Sequence, residues 1–219
     1  MTGDTLTAAR LDLPARTAAA KLIVVLRAPD AADYDGVLDV LVDAGIRSVE
    51  LTLTTPGTLE RLPDLLARFG AAADIGVGTV VDGEQLNAAV RAGAHYLVTP
   101  IADPELVTAA TRAGVPIVPG GLTPTELFGA WRAGAAAVKI FPANVVGAGY
   151  LKDLRGPFPG IAAVPSGGVD LAGASAWLAA GAAAVSVGGP LLGDALRGGD
   201  LAALRDRAAE FVALCGEAT

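Results

Sequence analysis

The chain contains one cysteine, Cys215, and one histidine, His95. A single cysteine excludes an intrachain disulfide and any centre built from several thiolates. A single histidine excludes a multi-histidine metal site and makes a Ser-His-Asp hydrolase depend on His95 alone. No metal ligand set is assigned. Lysine is nearly as scarce, with Lys21, Lys139 and Lys152 the whole complement. Charged residues make up only 18 % of the chain, and the formal net charge is −7. An acidic chain without a Lys/Arg cluster repels nucleic acid on average, so no nucleic-acid partner is expected. Long hydrophobic runs are missing as well. Gly, Pro or a charged residue interrupts each one before the ~18 residues that a spanning helix needs, so no membrane partner is expected. The N-terminal stretch carries Asp4 and Asp12 and no apolar core, which does not read as a secretory signal. These absences fit a cytoplasmic protein.

Apolar residues, largely Ala and Val, make up 53 % of the sequence, enough to offset chain entropy by burial. They are concentrated in short runs: LIVVLR (22–27), RSVELTL (47–53), DIGVGTV (74–80), HYLVTP (95–100), VPIVPG (115–120), AVKIFPA (137–143), IAAVPSGG (161–168) and AVSVGG (184–189). Successive starts lie mostly about 20–25 residues apart, the length of one strand–helix unit. Between runs the period becomes helical, as in Leu38, Leu41, Val42 and Ile46, or Leu62, Leu65, Leu66 and Phe69. Ala-Gly steps at 44–45, 92–93, 113–114, 133–134 and 180–181 mark helix ends, where glycine suits a left-handed cap. Thr123-Pro124-Thr125-Glu126 reads as a capping box at a helix start. Eight such units without a linker predict one α/β domain over residues 1–219, a (β/α)8 barrel (TIM barrel) with an additional N-terminal helix near residues 5–19. A doubly wound open sheet is the runner-up. It requires GxGxxG after the first strand, where LRAPDAADYDG stands instead, and GVGTVVDG near residue 76 lacks the third glycine.

A barrel of this kind carries its active site at the C-terminal ends of its strands. In the second run, alternation puts Ser48, Glu50, Thr52 and Thr54 on one face and Val49, Leu51 and Leu53 on the other. The apolar face meets the helices, so Glu50 points inward, either as half of a structural ion pair or as a catalytic acid. The sixth run places Lys139 in AAAVKIFPA, while Lys21 and Lys152 have surroundings expected at a surface. Desolvation penalises an ammonium, which drives a lysine on a buried strand toward the neutral amine, a nucleophile for carbonyls. The competing role is a stabilising pair with Glu50, but a buried ion pair is weak evidence for stability. Phe141 shares the face of Lys139. The seventh and eighth runs end in Gly167-Gly168 and Gly188-Gly189, where barrels hold phosphate on backbone N–H groups. Thr79 and Arg27 end the third and first runs, and each is either an anion ligand or a structural rim residue. Pro100 and Pro119 shape the mouth, His95 opens the fourth run at the far end, and Trp131 and Trp177 read as packing residues.

Taken in order, VELTLTTPG, GVGTVV, VTP, VPGGLTPTEL, VKIFPANVVG, PSGGV and VGG resemble the 2-keto-3-deoxy-6-phosphogluconate (KDPG) aldolase family. That family includes the 4-hydroxy-2-oxoglutarate (KHG) and 6-phosphogalactonate (KDPGal) aldolases. The resemblance runs from about Lys21 to Leu192. It implies a (β/α)8 barrel that assembles as a homotrimer and cleaves a small keto-acid substrate without a cofactor. It makes Lys139 the Schiff-base lysine and Glu50 the catalytic acid and base. Thr79 becomes a carboxylate ligand, Phe141 packs beside it, and Ser166 stands near the reacting aldehyde. Pro100 lines the substrate site, and Gly167, Gly168, Gly188 and Gly189 form the phosphate cradle. Some members carry Arg four residues after the Glu, where this chain has Thr54, leaving Arg27 or Thr54 as carboxylate ligand. A Ser common in the phosphate site is here Pro190, which has no N–H to donate.

Overall fold

The computed structural model describes residues 10–217. Each apolar run forms a short parallel strand. These are β1 (Leu22–Leu26), β2 (Ser48–Thr52), β3 (Asp74–Gly78), β4 (Leu97–Val98), β5 (Ile117–Val118), β6 (Gly120–Gly121), β7 (Val138–Ile140), β8 (Ala163–Pro165) and β9 (Val185–Val187). They lie in a six-stranded sheet of order β5-β4-β3-β2-β1-β9 and a three-stranded sheet of order β6-β7-β8. The fifth run therefore becomes two strands, not one. Pro119 interrupts it, and the pairing partner changes there. Thr99 N donates to Val118 O on one side, while Lys139 N donates to Pro119 O at 2.8 Å on the other. The free edges also approach each other, since Ala183 N donates to Ala163 O and Ser166 forms a parallel bridge with Ser186.

Helices follow the strands on the outside: α1 (Ala15–Ala20), α2 (Tyr34–Asp43), α3 (Thr58–Phe69), α4 (Gly83–Arg91), α5 (Pro104–Arg112), α6 (Pro124–Arg132), α7 (Gly149–Arg155), α8 (Leu171–Ala179), α9 (Gly189–Leu192) and α10 (Leu201–Glu217). The Ala-Gly steps do terminate helices. Ala44, Ala92, Ala113, Ala133 and Ala180 are C-caps, each followed by a glycine of positive φ. The capping box of α6 is complete, with Thr123 and Glu126 each serving the other's backbone N–H. The N-terminal helix is shorter than expected. Pro14 stands at its N-cap, residues 10–14 are not helical, and residues 5–9 of the expected span lie outside the described residues.

Alternation divides the burial in two. The large core lies between strands and helices and includes Val24, Leu26, Val49, Leu51, Ile75 and Val77. A second cluster of Ile23, Tyr96, Val98, Val118, Ala137, Val164 and Ala184 fills the space enclosed by the strands. Its polar edge is satisfied internally. Tyr96 OH donates to Val49 O at 2.8 Å and lies 3.0 Å from Ser48 Oγ. The Thr17 hydroxyl of α1 donates to Asp74 at 2.9 Å and lies 2.8 Å from Ser48 Oγ. This network fills the N-terminal ends of β2 and β3, and the strand interior opens toward their C-terminal ends. Burial pushes the Tyr96 phenol well above the ordinary range, against the lowering effect of its Ser48 hydrogen bond. The hydroxyl thus stays a donor.

Candidate active site

At the C-terminal ends of the strands lies a cleft of about 390 Å³. Lys139 and Glu50 reach it from β7 and β2. Lys139 is 8 % exposed and Glu50 2 %, and Nζ stands 4.0 Å from Glu50 Oε1. That separation is too long for a direct hydrogen bond and leaves room for a bridging water or a substrate hydroxyl. Phe141 continues the inward face of β7, and its ring centroid lies 5.2 Å from Lys139 Nζ. The aromatic face favours a nearby cation and keeps one side of the amine dry.

The sequence signal that positions Glu50 lies in β3. A Cβ on Gly78 would stand 1.9 Å from Glu50 Oε1, and one on Gly76 would stand 2.4 Å from the Tyr96 ring. The two glycines of GVG therefore admit two large inward side chains, one from β2 and one before β4. They are packing glycines, a role that reading them only against a nucleotide fingerprint misses. Thr79 follows directly, at φ 61°. A β-branched residue in the left-handed region is strained, and such strain concentrates at functional sites. Thr79 lines the cleft.

Arg27, Pro100, Ser166, Gly167, Gly168, Gly188 and Gly189 line the same cleft. Gly167 and Gly168 have φ of 95° and 70°, and a Cβ on Gly168 would lie 2.9 Å from the Asn144 side chain. Glycine is thus required there by conformation and by space. Ser166 Oγ donates to Ser186 Oγ at 3.2 Å. Pro190 lines the cleft at the start of α9, where it has no N–H to offer.

Thr54 does not join this group, a correction to the expected alternation. β2 ends at Thr52, the chain turns, and Thr54 is exposed with its hydroxyl donating to Thr52 Oγ1 at 3.1 Å. Lys21 is also less exposed than expected. It is half-buried, in a left-handed conformation at the end of α1. His95 lies away from the cleft and its Nδ1 accepts from Ile75 N at 3.0 Å. Trp131 packs under the Arg10 guanidinium, and Trp177 is buried in the large core. Burial pushes the Cys215 thiol up to about 11. Val25, Ser186, Asp194 and Arg197 also line the cleft, beyond the residues that the sequence singled out. Val25 was discoverable, because alternation from Arg27 selects it. Arg197 was not, because it sits in a one-turn 3-10 helix (Ala195–Arg197) beyond the last strand.

A family model described as KDPG and KHG aldolase matches residues 13–206. The 2-dehydro-3-deoxy-6-phosphogalactonate aldolase of Escherichia coli K12 is 34 % identical over 171 residues, which is 78 % of this chain and 83 % of that protein. A native KDPGal structure superposes with a TM-score of 0.83 at 34 % identity, covering 90 % of this chain and 95 % of its own. The KDPG aldolase of Legionella pneumophila, with pyruvate captured as a covalent carbinolamine, superposes with a TM-score of 0.78 at 27 % identity, covering 94 % and 97 %. The fold is accordingly an α/β fold of parallel strands shared with KDPG aldolase structures. With a family model spanning nearly all the described residues and relatives that are aldolases by name, this chain belongs to the KDPG and KHG aldolase family, and is a lyase.

Proposed function

We propose that the protein is a Schiff-base aldolase that cleaves a 2-keto-3-deoxy-6-phospho sugar acid to pyruvate and glyceraldehyde 3-phosphate. The observation that carries this reading is the pair of Lys139 and Glu50, both buried, 4.0 Å apart at the base of an open cleft. Lys139 Nζ attacks the C2 ketone, and the carbinolamine loses water to give a protonated imine. Glu50 shuttles protons in this step, directly or through a water. Glu50 then accepts the C4 hydroxyl proton. The C3–C4 bond breaks, its electrons move into the imine to form an enamine, and the aldehyde leaves. Protonation at C3 and addition of water release pyruvate and regenerate the amine. Thr79 and Arg27 are the candidate carboxylate ligands, and Gly167, Gly168, Gly188 and Gly189 the phosphate cradle. Phe141, Pro100 and Ser166 shape the space between. No cofactor is needed, because the imine is itself the electron sink.

The gluconate and galactonate substrates differ at one stereocentre, and relatives of both names match this chain. The assembly we assign is a homotrimer of one closed (β/α)8 domain over residues 1–219. Closure is supported by the Ser166–Ser186 bridge and by the change of partner across residues 117–121. A cytoplasmic location agrees with the lack of a helix long and apolar enough to cross a membrane among the described residues.

Borohydride reduction in the presence of pyruvate tests the central step. Peptide mapping should find the added three-carbon mass on Lys139. An active enzyme with Lys139 unmodified would overturn the proposal and leave a phosphate-binding isomerase or synthase without a Schiff base.

A further inference from the structure

We propose that Arg197 anchors the substrate phosphate and thereby sets the preference for phosphorylated over unphosphorylated 2-keto-3-deoxy acids. The inference rests on the aldolase reading above and assigns a residue of its phosphate subsite. Three cations line the cleft, Arg27, Lys139 and Arg197, against two anions, Glu50 and Asp194. Lys139 is taken by the imine. A substrate with a carboxylate at one end and a phosphate at the other therefore finds two guanidinium groups. Arg27 directly follows β1, beside β9, and Arg197 is carried by the segment from Gly188 to Arg197 that runs along one wall of the cleft.

Two features mark Arg197 as available for a ligand. Among the described residues, its guanidinium has no ion pair and no side-chain hydrogen bond. Two acids lie three residues away: Asp200, whose Oδ1 accepts from Ala202 N and Ala203 N at the start of α10, and Asp194. The Asp194 carboxylate lies against Gly199, where a Cβ would stand 2.0 Å from Oδ1. The segment itself is fixed. Arg207 of α10 donates through Nε to Leu191 O at 2.6 Å and through Nη2 to Leu192 O at 3.0 Å. Gly193 follows at φ 57°, where a Cβ would meet the same guanidinium at 2.9 Å. Arg207 thus holds the C-terminal turn of α9 while Gly193 redirects the chain to the 3-10 turn that presents Arg197. Pro190 supplies the need. With one backbone donor missing at the start of α9, a phosphate on this wall lacks a hydrogen bond that a guanidinium can replace, with charge and two donors.

The test compares Arg197→Ala and Arg197→Lys with wild type on 2-keto-3-deoxy-6-phosphogluconate, its galactonate epimer and unphosphorylated 4-hydroxy-2-oxoglutarate. Arg197 is exposed, so solvent screening limits the effect, and Arg197→Ala should raise KM for the phosphorylated substrates roughly tenfold. Neither kcat nor the KM for 4-hydroxy-2-oxoglutarate should move, and Arg197→Lys should recover part of the loss. Calorimetry with inorganic phosphate gives a readout independent of turnover, in which Arg197→Ala should weaken binding by a similar factor. Unchanged phosphate affinity, or equal losses on all substrates, would overturn the role of Arg197. Failure of the aldolase reading shows separately, as absence of the borohydride adduct in wild type.

Discussion

At the N-terminal end of β2, Ser48 is buried among Thr17, Tyr96 and Asp74, and each polar atom of that network answers another. Two residues further along the same strand and face, Glu50 looks into the cleft and meets Lys139 across 4.0 Å. Both positions are buried polar positions within the strand interior. They differ in what satisfies them. The closed end spends its hydrogen bonds on itself and seals the interior with Tyr96. The open end holds an acid and an amine close enough to share a reacting molecule but too far apart to satisfy each other directly. Stability therefore belongs to one end and reactivity to the other, along a strand of only five residues.

Substitutions at the open end should cost activity, and those at the closed end should cost stability. The largest effect is expected for Lys139→Ala, which should lower kcat/KM by roughly 10⁴-fold or more while leaving the unfolding midpoint near wild type. Retained turnover would break the comparison at its strongest point. Glu50→Gln should follow, with about 10²–10⁴-fold lost from kcat yet some pyruvate adduct still trapped by borohydride. Gly78→Ala sharpens the point without touching a reacting group. Its methyl would displace the Glu50 carboxylate, and about 10²-fold should be lost from kcat. Normal kcat in that variant would show that the Glu50 position is not critical. At the closed end, Tyr96→Phe removes the bond to Val49 O and leaves Ser48 with Thr17 alone. It should lower stability by about 1–3 kcal/mol in urea titration, with kcat changed far less than in Gly78→Ala.

Much of the open end was legible because its residues are conspicuous by type. Lys139 stands alone in an apolar run, and Glu50 interrupts a Val/Leu alternation. Alternation then fails where the strand stops. Thr54 continues the pattern in sequence, but the turn after Thr52 carries it outside. The fifth run hid a partner change at Pro119, since a proline inside a run does not say which neighbouring strand each half will pair with, and only the packed sheets decide that. The meaning of Gly76 and Gly78 was hidden for the same reason. A missing side chain is explained only by the neighbour that occupies its space, here Tyr96 and Glu50.

By itself the sequence determined which stretches pair as strands, where helices cap and stop, and which charged groups must face inward, because these follow from periodicity, backbone preference and the cost of burying charge. Only the tertiary structure decided that Glu50 and Lys139 meet across 4.0 Å, that Tyr96 seals the other end, and that Arg197 returns from beyond the last strand to the cleft. Those are relations between residues far apart in the chain, and they come into being when the strands pack side by side.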